Sequence, residues 1–452
     1  MEREEGFYWE RHAAAEKACL DILYDCKGKN TTLSRFERKL SSHTSSRMLD
    51  WVDHFHLRDS KQVRDKLGKL GFLRQPDTRH NAFLHPGALL PRIVLGGHSK
   101  GPEAIVALRV ESIADFLQVN GFRAEIEGGP LSPFRRAQLG TEGGVALTVV
   151  ERRGSRDYDP VYPQDAYLRT YLEGAEAWQN RPRTSGNEDR IFSEIFGIAD
   201  RLASQLGPDL AAHLVCRAER AYWLSRNFAA RVQKGRHDTL GLGWANHDHH
   251  TFRSSRRNFQ RLVALFSRLG FRNRERFYAG EEAGWGAQVM ENPVAGIVLF
   301  LDVDLAPEEV ATDFSREELP ERDRLGTVGL WCALHGDSVF EAGMHHLAAR
   351  FDFERLIEDL ARYNVEYMAP FSNFPYLKQA FSIAEQWEVD QVRVEKLVRE
   401  KIVTNEQGEQ LLSRGAVGSH LENIQRKEGY KGFNRKNVSA IIRETDPRRH
   451  LA

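Results

Sequence analysis

The sequence predicts an α+β fold built from duplicated β-α-β-β-β units, whose curved sheets surround a cleft, with a helical region inserted between the two halves. Three observations predict it. A strand-like run followed by an amphipathic helix occurs four times, and three of these helices close at Gly-Phe. Short strand-like runs follow the second and third helices. The pattern His-x-x-x-Arg opens the first, third and fourth of these units, at His54, His249 and His346.

Residues 1–46 read as an N-terminal helical segment that turns polar and stops at Leu40-Ser-Ser-His-Thr-Ser-Ser46. Residues 47–160 read as the first β-α-β-β-β-type domain. Trp51 to Arg58 alternates like a strand, Val63, Leu67 and Leu70 share a helical face, and Gly71-Phe72 closes it. Ile105 to Val110 is again strand-like, followed by Ile113, Phe116 and Leu117 and the closing Gly121-Phe122. Strand-like runs follow at Arg123–Glu127, Arg136–Leu139 and Val145–Val150.

Residues 161–243 read as helical, with Ile191 to Leu206 and Leu210 to Val232 as its helices. The basic run from Arg226 to Arg236 reads as a solvated helix face. Residues 244–452 read as the second domain. His249 to Arg253 is its first strand. Phe259, Leu262, Val263, Phe266 and Leu269 line the helix behind it, up to Gly270-Phe271. Runs at Arg276–Tyr278, Gly286–Met290 and Ile297–Val303 complete that unit. His346 to Arg350 opens the last unit, with Phe353, Leu356, Ile357 and Leu360 behind it.

Composition narrows the function classes. The chain has 452 residues, 41% hydrophobic and 28% charged, which suits a globular protein of two or three domains. Its 64 basic and 64 acidic residues cancel, so nucleic acid and anionic membranes are not expected partners. The apolar run Val294 to Leu301 is too short to span a bilayer. The charged start Met-Glu-Arg-Glu-Glu lacks the apolar core of a signal peptide. Cys19, Cys26, Cys216 and Cys332 form no Cys-x-x-Cys pair, so a thiolate zinc site is not expected and the thiols read as reduced and cytoplasmic. No Walker-type loop, dinucleotide fingerprint or Gly-x-Ser-x-Gly elbow occurs.

The histidines carry the chemistry. On a strand, residues two apart share a face, so His247, His249, Thr251 and Arg253 are expected on one side and His250 on the other. The same rule groups His346 with Arg350 and sets His345 opposite. Sharing a face with arginine selects His249 and His346 as metal ligands. Two histidines and one carboxylate would leave positions open for substrate and oxygen, an arrangement that favours non-haem Fe(II).

At these residues the sequence resembles the 2-oxoadipate dioxygenase/decarboxylase (hydroxyglutarate synthase) family. The resemblance rests on Trp244-x-Asn-x-Asp248-His249-x-x-x-Arg253, the helix ending Leu269-Gly-Phe, Tyr278 and Ala287, and His346-Leu-Ala-Ala-Arg350. It continues through Pro375-Tyr-Leu-Lys-Gln-Ala-Phe-Ser382 and Gly418-Ser-His-Leu-Glu-Asn-Ile-Gln-Arg426, where His420 and Asn423 depart from the family's aromatic residues. It spans residues 244–430, with a fainter copy at 48–158. It implies a vicinal-oxygen-chelate-like fold and Fe(II) held by His249, His346 and Glu422. It also implies oxidative decarboxylation of a 2-oxo acid with O2, giving a shortened hydroxy acid. Arg253 and Arg350 would hold substrate carboxylates, and Gln379 and Ser419 would line the pocket wall.

In the first half, Val52-Asp-His-Phe-His-Leu-Arg58 repeats the histidine–arginine pattern, and Glu142 or Glu151 offers a carboxylate. The second unit there begins Ile105-Val-Ala-Leu-Arg109 and lacks a histidine. This half therefore reads as a copy whose site has decayed. The rival reading makes His54, Arg58 and Glu142 a working second site. Trp244, Trp285 and Tyr278 are candidates for pocket walls or for core. Three other functions stay open: isomerase, lyase or ring-cleaving chemistry on the same fold, a small-molecule binding protein without turnover, and histidines satisfied in a structural core.

Overall fold

In the computed structural model, residues 9–76, 79–96, 101–184, 187–278, 284–434 and 445–450 are described. The charged first residues, read above for a signal peptide, lie outside this set. The fold is α+β, with two large mixed sheets of the same connectivity, one in each half.

Helices α1 (Ala13–Lys29) and α2 (Thr31–Thr44) come first. Asn30 caps α2 by accepting from Leu33 N, and donates to Val145 O at 2.9 Å, which ties the pair to the first sheet. That sheet starts with β1 (Val52–Arg58), then α3 (Lys61–Lys69), β2 (Leu73–Arg74), β3 (Asn81–Leu84) and β4 (Arg92–Gly96). Its second unit is β5 (Ala104–Arg109), α4 (Ile113–Asn120), β6 (Phe134–Glu142) and β7 (Val145–Arg152). The strand order is β2-β3-β4-β1-β5-β7-β6. The expected run Arg123–Glu127 is not a strand, and only Glu127 pairs, in an isolated bridge to Arg136. The Gly-Phe endings are helix stops: Gly121 ends α4 at φ 68°, a left-handed conformation that glycine adopts without strain.

Between the sheets lie α5 (Asp165–Gln179), α6 (Glu188–Leu206), α7 (Pro208–Ser225) and α8 (Phe228–Asp238). The single helix expected from Leu210 to Val232 is two. It breaks at Arg226–Asn227 because the Asn227 side chain accepts from Ala230 N and starts a new helix. The basic run is also not one solvated face. Arg226 stacks over Trp387 at 3.8 Å, and buried Arg236 donates to Ser45, while Arg231 is exposed.

The second half runs β8 (His247–Arg253), α9 (Arg256–Arg268), β9 (Arg272–Tyr278), β10 (Trp285–Asn292), β11 (Ile297–Asp304) and then α10 (Thr327–His335). Its last unit is β12 (His346–Arg350), α11 (Phe353–Ala361), β13 (Ser372–Phe374) and β14 (Leu377–Phe381), closing later with β17. An insertion precedes that closing strand: β15 (Gln386–Trp387), α12 (Gln391–Arg399), α13 (Asn405–Arg414) and β16 (Ala416–Val417), and then β17 (His420–Arg426). The strand order is β13-β14-β17-β12-β8-β11-β10-β9.

The two sheets match in register. β1 and β8 each pair parallel with the last strand of their own unit. Each pairs antiparallel with the first strand of the next unit, β5 or β12. Those strands pair parallel with β7 and β17. Both first strands carry the same irregularity, between Val52 and His54 and between His247 and His249. His54 thereby matches His249, and Asp53 matches Asp248. Ile105 stands where the second half has His346, and Thr148 where it has Glu422. Arg109 matches Arg350, and Arg152 matches Arg426.

The helical region shares one apolar core with the outer face of the second sheet, through residues such as Phe192, Trp223, Phe252 and Leu347. Full burial of a side chain like Phe252 contributes about 1.5–3 kcal/mol, and this anchors β8 from behind. No helix among the described residues is long and apolar enough to cross a membrane. The four cysteines are free and buried.

Candidate metal centre

The irregularity in β8 decides which histidines meet. One extra residue in a strand breaks the two-residue alternation. Asp248 takes that place, so His247 turns to the side of His250, with ring centroids 5.2 Å apart. The expected grouping of His247 with His249 is thereby corrected. Beyond the bulge, alternation resumes, and His249, Thr251 and Arg253 line one cavity. His345 is also corrected. It precedes β12 and escapes the strand's alternation, so it lines the same cavity, its Nδ1 3.0 Å from His346 Nδ1.

β12 lies beside β8, and β17 beside β12, so three neighbouring strands deliver one donor each. His249 Nε2 is 3.1 Å and His346 Nε2 3.2 Å from Glu422 Oε2. The three groups are buried, and their ligand-capable atoms lie within 4.8 Å of one another. Each is held from behind. His249 Nδ1 is 3.0 Å from Asp248 Oδ2, and Asp248 is paired with Arg426 at 2.8 and 3.0 Å. Gln379 Nε2 donates to Glu422 Oε1 at 2.8 Å, leaving Oε2 toward the histidines. Behind His346, its Nδ1 is 3.0 Å from His345 Nδ1, while Thr251 Oγ1 lies on the site side, 2.9 Å from His346 Nε2.

Burial alone would lower the His249 pKa, but Glu422 and Asp248 outweigh it and raise it to about 9. Burial would raise Glu422, but His249 and His346 bring it down to about 2. Burial dominates at His346 and lowers it to about 4. The resulting imidazolium–carboxylate pair puts a proton where a cation would bind. Two neutral-capable imidazole nitrogens and one carboxylate oxygen, each with an outer partner, fit a divalent metal with open positions.

The cavity beside the triad has a volume of about 60 Å³ and is walled by aromatic rings, among them Phe277, Trp285, Phe300 and Phe371. Arg253, 1% exposed, points into it, and neither its Nε nor its Nη1 has a hydrogen-bond partner. Its guanidinium lies 5.4 Å from the Trp331 ring. Asp302 shares the cavity. Burial raises its pKa to about 7, against the pull of Arg253 and His249. An unpartnered buried guanidinium has the donor geometry to take a carboxylate in paired hydrogen bonds.

The other expected residues divide. Gln379 is in the wall. Ser419 is not, because its Oγ accepts from Asn227 Nδ2 at 2.8 Å, away from the cavity. Arg350 is not either, and it lines a second cavity. β8 and β12 are antiparallel, so four residues beyond each histidine lead in opposite directions, about 13 Å each way at 3.3 Å per residue. Arg253 and Arg350 therefore cannot clamp one short acid. Trp285 lines the cavity, whereas Trp244 and Tyr278 belong to the core.

The proposed second site does not assemble. His54 is buried with its Nδ1 2.8 Å from Asp53 Oδ2, but Arg58 is exposed at the strand end. Glu142 is on the surface, accepting from Thr31 and Thr32 at the start of α2. Glu151 accepts from Ile113 N at the start of α4. Ile105 and Thr148, at the matching positions, leave His54 without partners for a metal. What sequence reasoning missed is the supporting role of Asp248 and Arg426 behind His249 and the presence of Asp302 in the cavity. An Asp-His pair in both halves, and an arginine four residues after both Thr148 and Glu422, were the available signals.

No family model matches the chain, and no curated protein matches it. Among solved structures it is similar to a mutant of 4-hydroxymandelate synthase from Streptomyces coelicolor, at 13% identity over 89% of this chain and 99% of that one, with a TM-score of 0.26. It is similar to methylmalonyl-CoA epimerase from Mycobacterium tuberculosis at 10% identity, over 40% of this chain and 88% of that one, TM-score 0.23. A glyoxalase/bleomycin resistance protein/dioxygenase superfamily member from Vibrio splendidus 12B01 is 16% identical over 22% of this chain and 95% of its own, TM-score 0.16. At such identities none of these activities transfers to this chain.

Proposed function

We propose that the chain is a non-haem Fe(II) enzyme that oxidatively decarboxylates a small 2-oxo acid with O2, with His249, His346 and Glu422 as the metal ligands. The observation that carries this reading is the buried two-histidine, one-glutamate cluster opening onto a cavity with an unpartnered arginine. When bound, Fe(II) supplies oxygen activation and a template for the acid. Arg253 pairs with the acid's carboxylate by charge-assisted hydrogen bonds, and Trp331 braces the guanidinium. Gln379 and Asp248 hold Glu422 and His249 in place. The aromatic walls exclude water. A cavity of about 60 Å³ takes the head of a short acid. The reading includes neither a nucleic-acid nor a membrane partner, and it takes the protein as cytoplasmic on the strength of its four free cysteines.

The test is anaerobic reconstitution with Fe(II), then oxygen consumption and carbon dioxide release over a panel of 2-oxo acids. One iron per chain is expected, lost in His249→Ala, His346→Ala and Glu422→Ala, with uptake of one O2 per CO2 for at least one acid. Full metal retention in all three variants would overturn the ligand assignment. Asp302 favours a second reading. A carboxyl group with its pKa raised to about 7 beside the metal suits proton transfer, hence an isomerase or lyase. Turnover of an acid without oxygen uptake would decide for it.

A further inference from the structure

A second cavity, of about 290 Å³, lies where the two sheets meet and is lined from both halves. Nine basic side chains face it against five acidic ones. Most of its acids are already neutralised: Asp53 by Arg152, Asp248 by Arg426, Asp50 by Arg47 and Glu291 by Lys431. Among the described residues Arg109 and Arg350 form no ion pair within 4 Å, and Arg350 Nε has no hydrogen-bond partner. These two arginines occupy matching positions, two residues past Ala107 and Ala348 on β5 and β12. The duplication thus brings one unpaired guanidinium from each half to the same space. Burial, foremost, pulls Arg109 down to about 10, against the pull of Asp53, with Arg152 and Arg92 adding to it. Leaving such charges unpaired in the interior is costly.

An independent group points the same way. His247, 8% exposed, lines this cavity. Its Nδ1 is 3.0 Å from Trp244 O, so the ring N–H donates there, and its Nε2, without a partner, is left as an acceptor. Two cationic forks and one neutral acceptor describe an oxyanion that also carries an O–H.

We propose that this cavity is a second ligand site, for a small hydroxylated oxyanion held by Arg109 and Arg350, with its O–H donated to His247 Nε2. Guanidinium forks bind carboxylate and phosphate alike in pairs of parallel hydrogen bonds. A hydroxy acid and hydrogen phosphate share the required chemistry. The site is separate from the metal cavity and stands without the iron reading. The pair Asp248–Arg426 is in its wall, so an occupant rests against the groups that orient His249.

Calorimetric titration of the metal-free full chain with malate and with inorganic phosphate tests this. Saturable one-to-one binding of either is expected, and the tighter one identifies the source. Arg109→Gln and Arg350→Gln are each expected to weaken it at least tenfold, and Arg253→Gln to leave it unchanged. Should Arg350→Gln fail to fold, Arg350→Lys keeps the charge but loses the fork, and binding is expected to weaken severalfold. Absence of saturable binding for both anions overturns the proposal. So does binding that survives both arginine variants, or that disappears in Arg253→Gln, which would place it in the metal cavity.

Discussion

Asp248 is not one of the three clustered donors, yet it sets the candidate metal centre twice. As the extra residue of the bulge it sends His247 and His249 to opposite sides, and as a carboxylate it fixes His249 through Nδ1. In Asp248→Asn the buried Arg426 loses its counter-charge and His249 its orienting acceptor. Metal affinity is expected to fall roughly 10–100-fold, measured by competition with a chelator. An unchanged affinity would make the pair a packing device only. At this scale the sequence was partly legible. His249, His346 and Glu422 were marked by pattern and resemblance, because ligands must be specific residue types. His247 and Arg350 were misplaced, because a bulge and an antiparallel pairing are relations between strands that no single strand's spacing contains.

β17 carries Glu422, and its approach is set by Gly418. A Cβ there would strike the Trp387 ring, which is sandwiched by Arg226, and the Gly418 carbonyl accepts from Trp331 Nε1 at 2.8 Å. Gly418→Ala is expected to lower Tm by several degrees and to weaken metal binding, although residue 418 is no ligand. A calorimetric scan and a metal titration read the two effects. Loss of stability with intact metal affinity would show that β17 does not transmit the shift. The strand–helix cadence was legible because each apolar face and each Gly-Phe stop is a local requirement. The insertion of α12, α13, β15 and β16 was not, since it has no counterpart in the first half. Its helices bury against α10, a contact that only the tertiary fold creates.

At the scale of the molecule, buried neutral histidines set the response to acid. His237 lies between Gln233 and the Gly243 carbonyl, and His335 bonds the Val417 carbonyl, and burial lowers both to about 3. Unfolded, each takes a proton near pH 6.5. Between pH 6.5 and 3 the unfolded chain therefore binds more protons, so their contribution is present above 6.5 and is lost as pH falls. Two such groups cost about 3 kcal/mol per pH unit in that window. Denaturant titrations at pH 7.5 and 5.0 are expected to show a marked loss of stability, with His335→Gln removing about 1.4 kcal/mol per pH unit of the slope. Equal stability at both values would contradict it. The α+β class and the doubling were legible from the repeated units. That the first half lacks the three-donor set was legible only as a missing histidine, since Thr148 gave no sign of standing where Glu422 stands.

The matched registers also tell which parts of a centre outlast its use. The first half keeps the Asp53–His54 contact and the Asp53–Arg152 pair, the counterparts of Asp248, His249 and Arg426, while Ile105 and Thr148 replace the other two ligands. Swapping a ligand for an apolar or small residue relieves burial of a polar group. Dismantling a buried ion pair strands a charge, at about 3–5 kcal/mol. Stability alone therefore accounts for Asp53 and Arg152 staying paired in a half where Ile105 and Thr148 stand at the positions of His346 and Glu422.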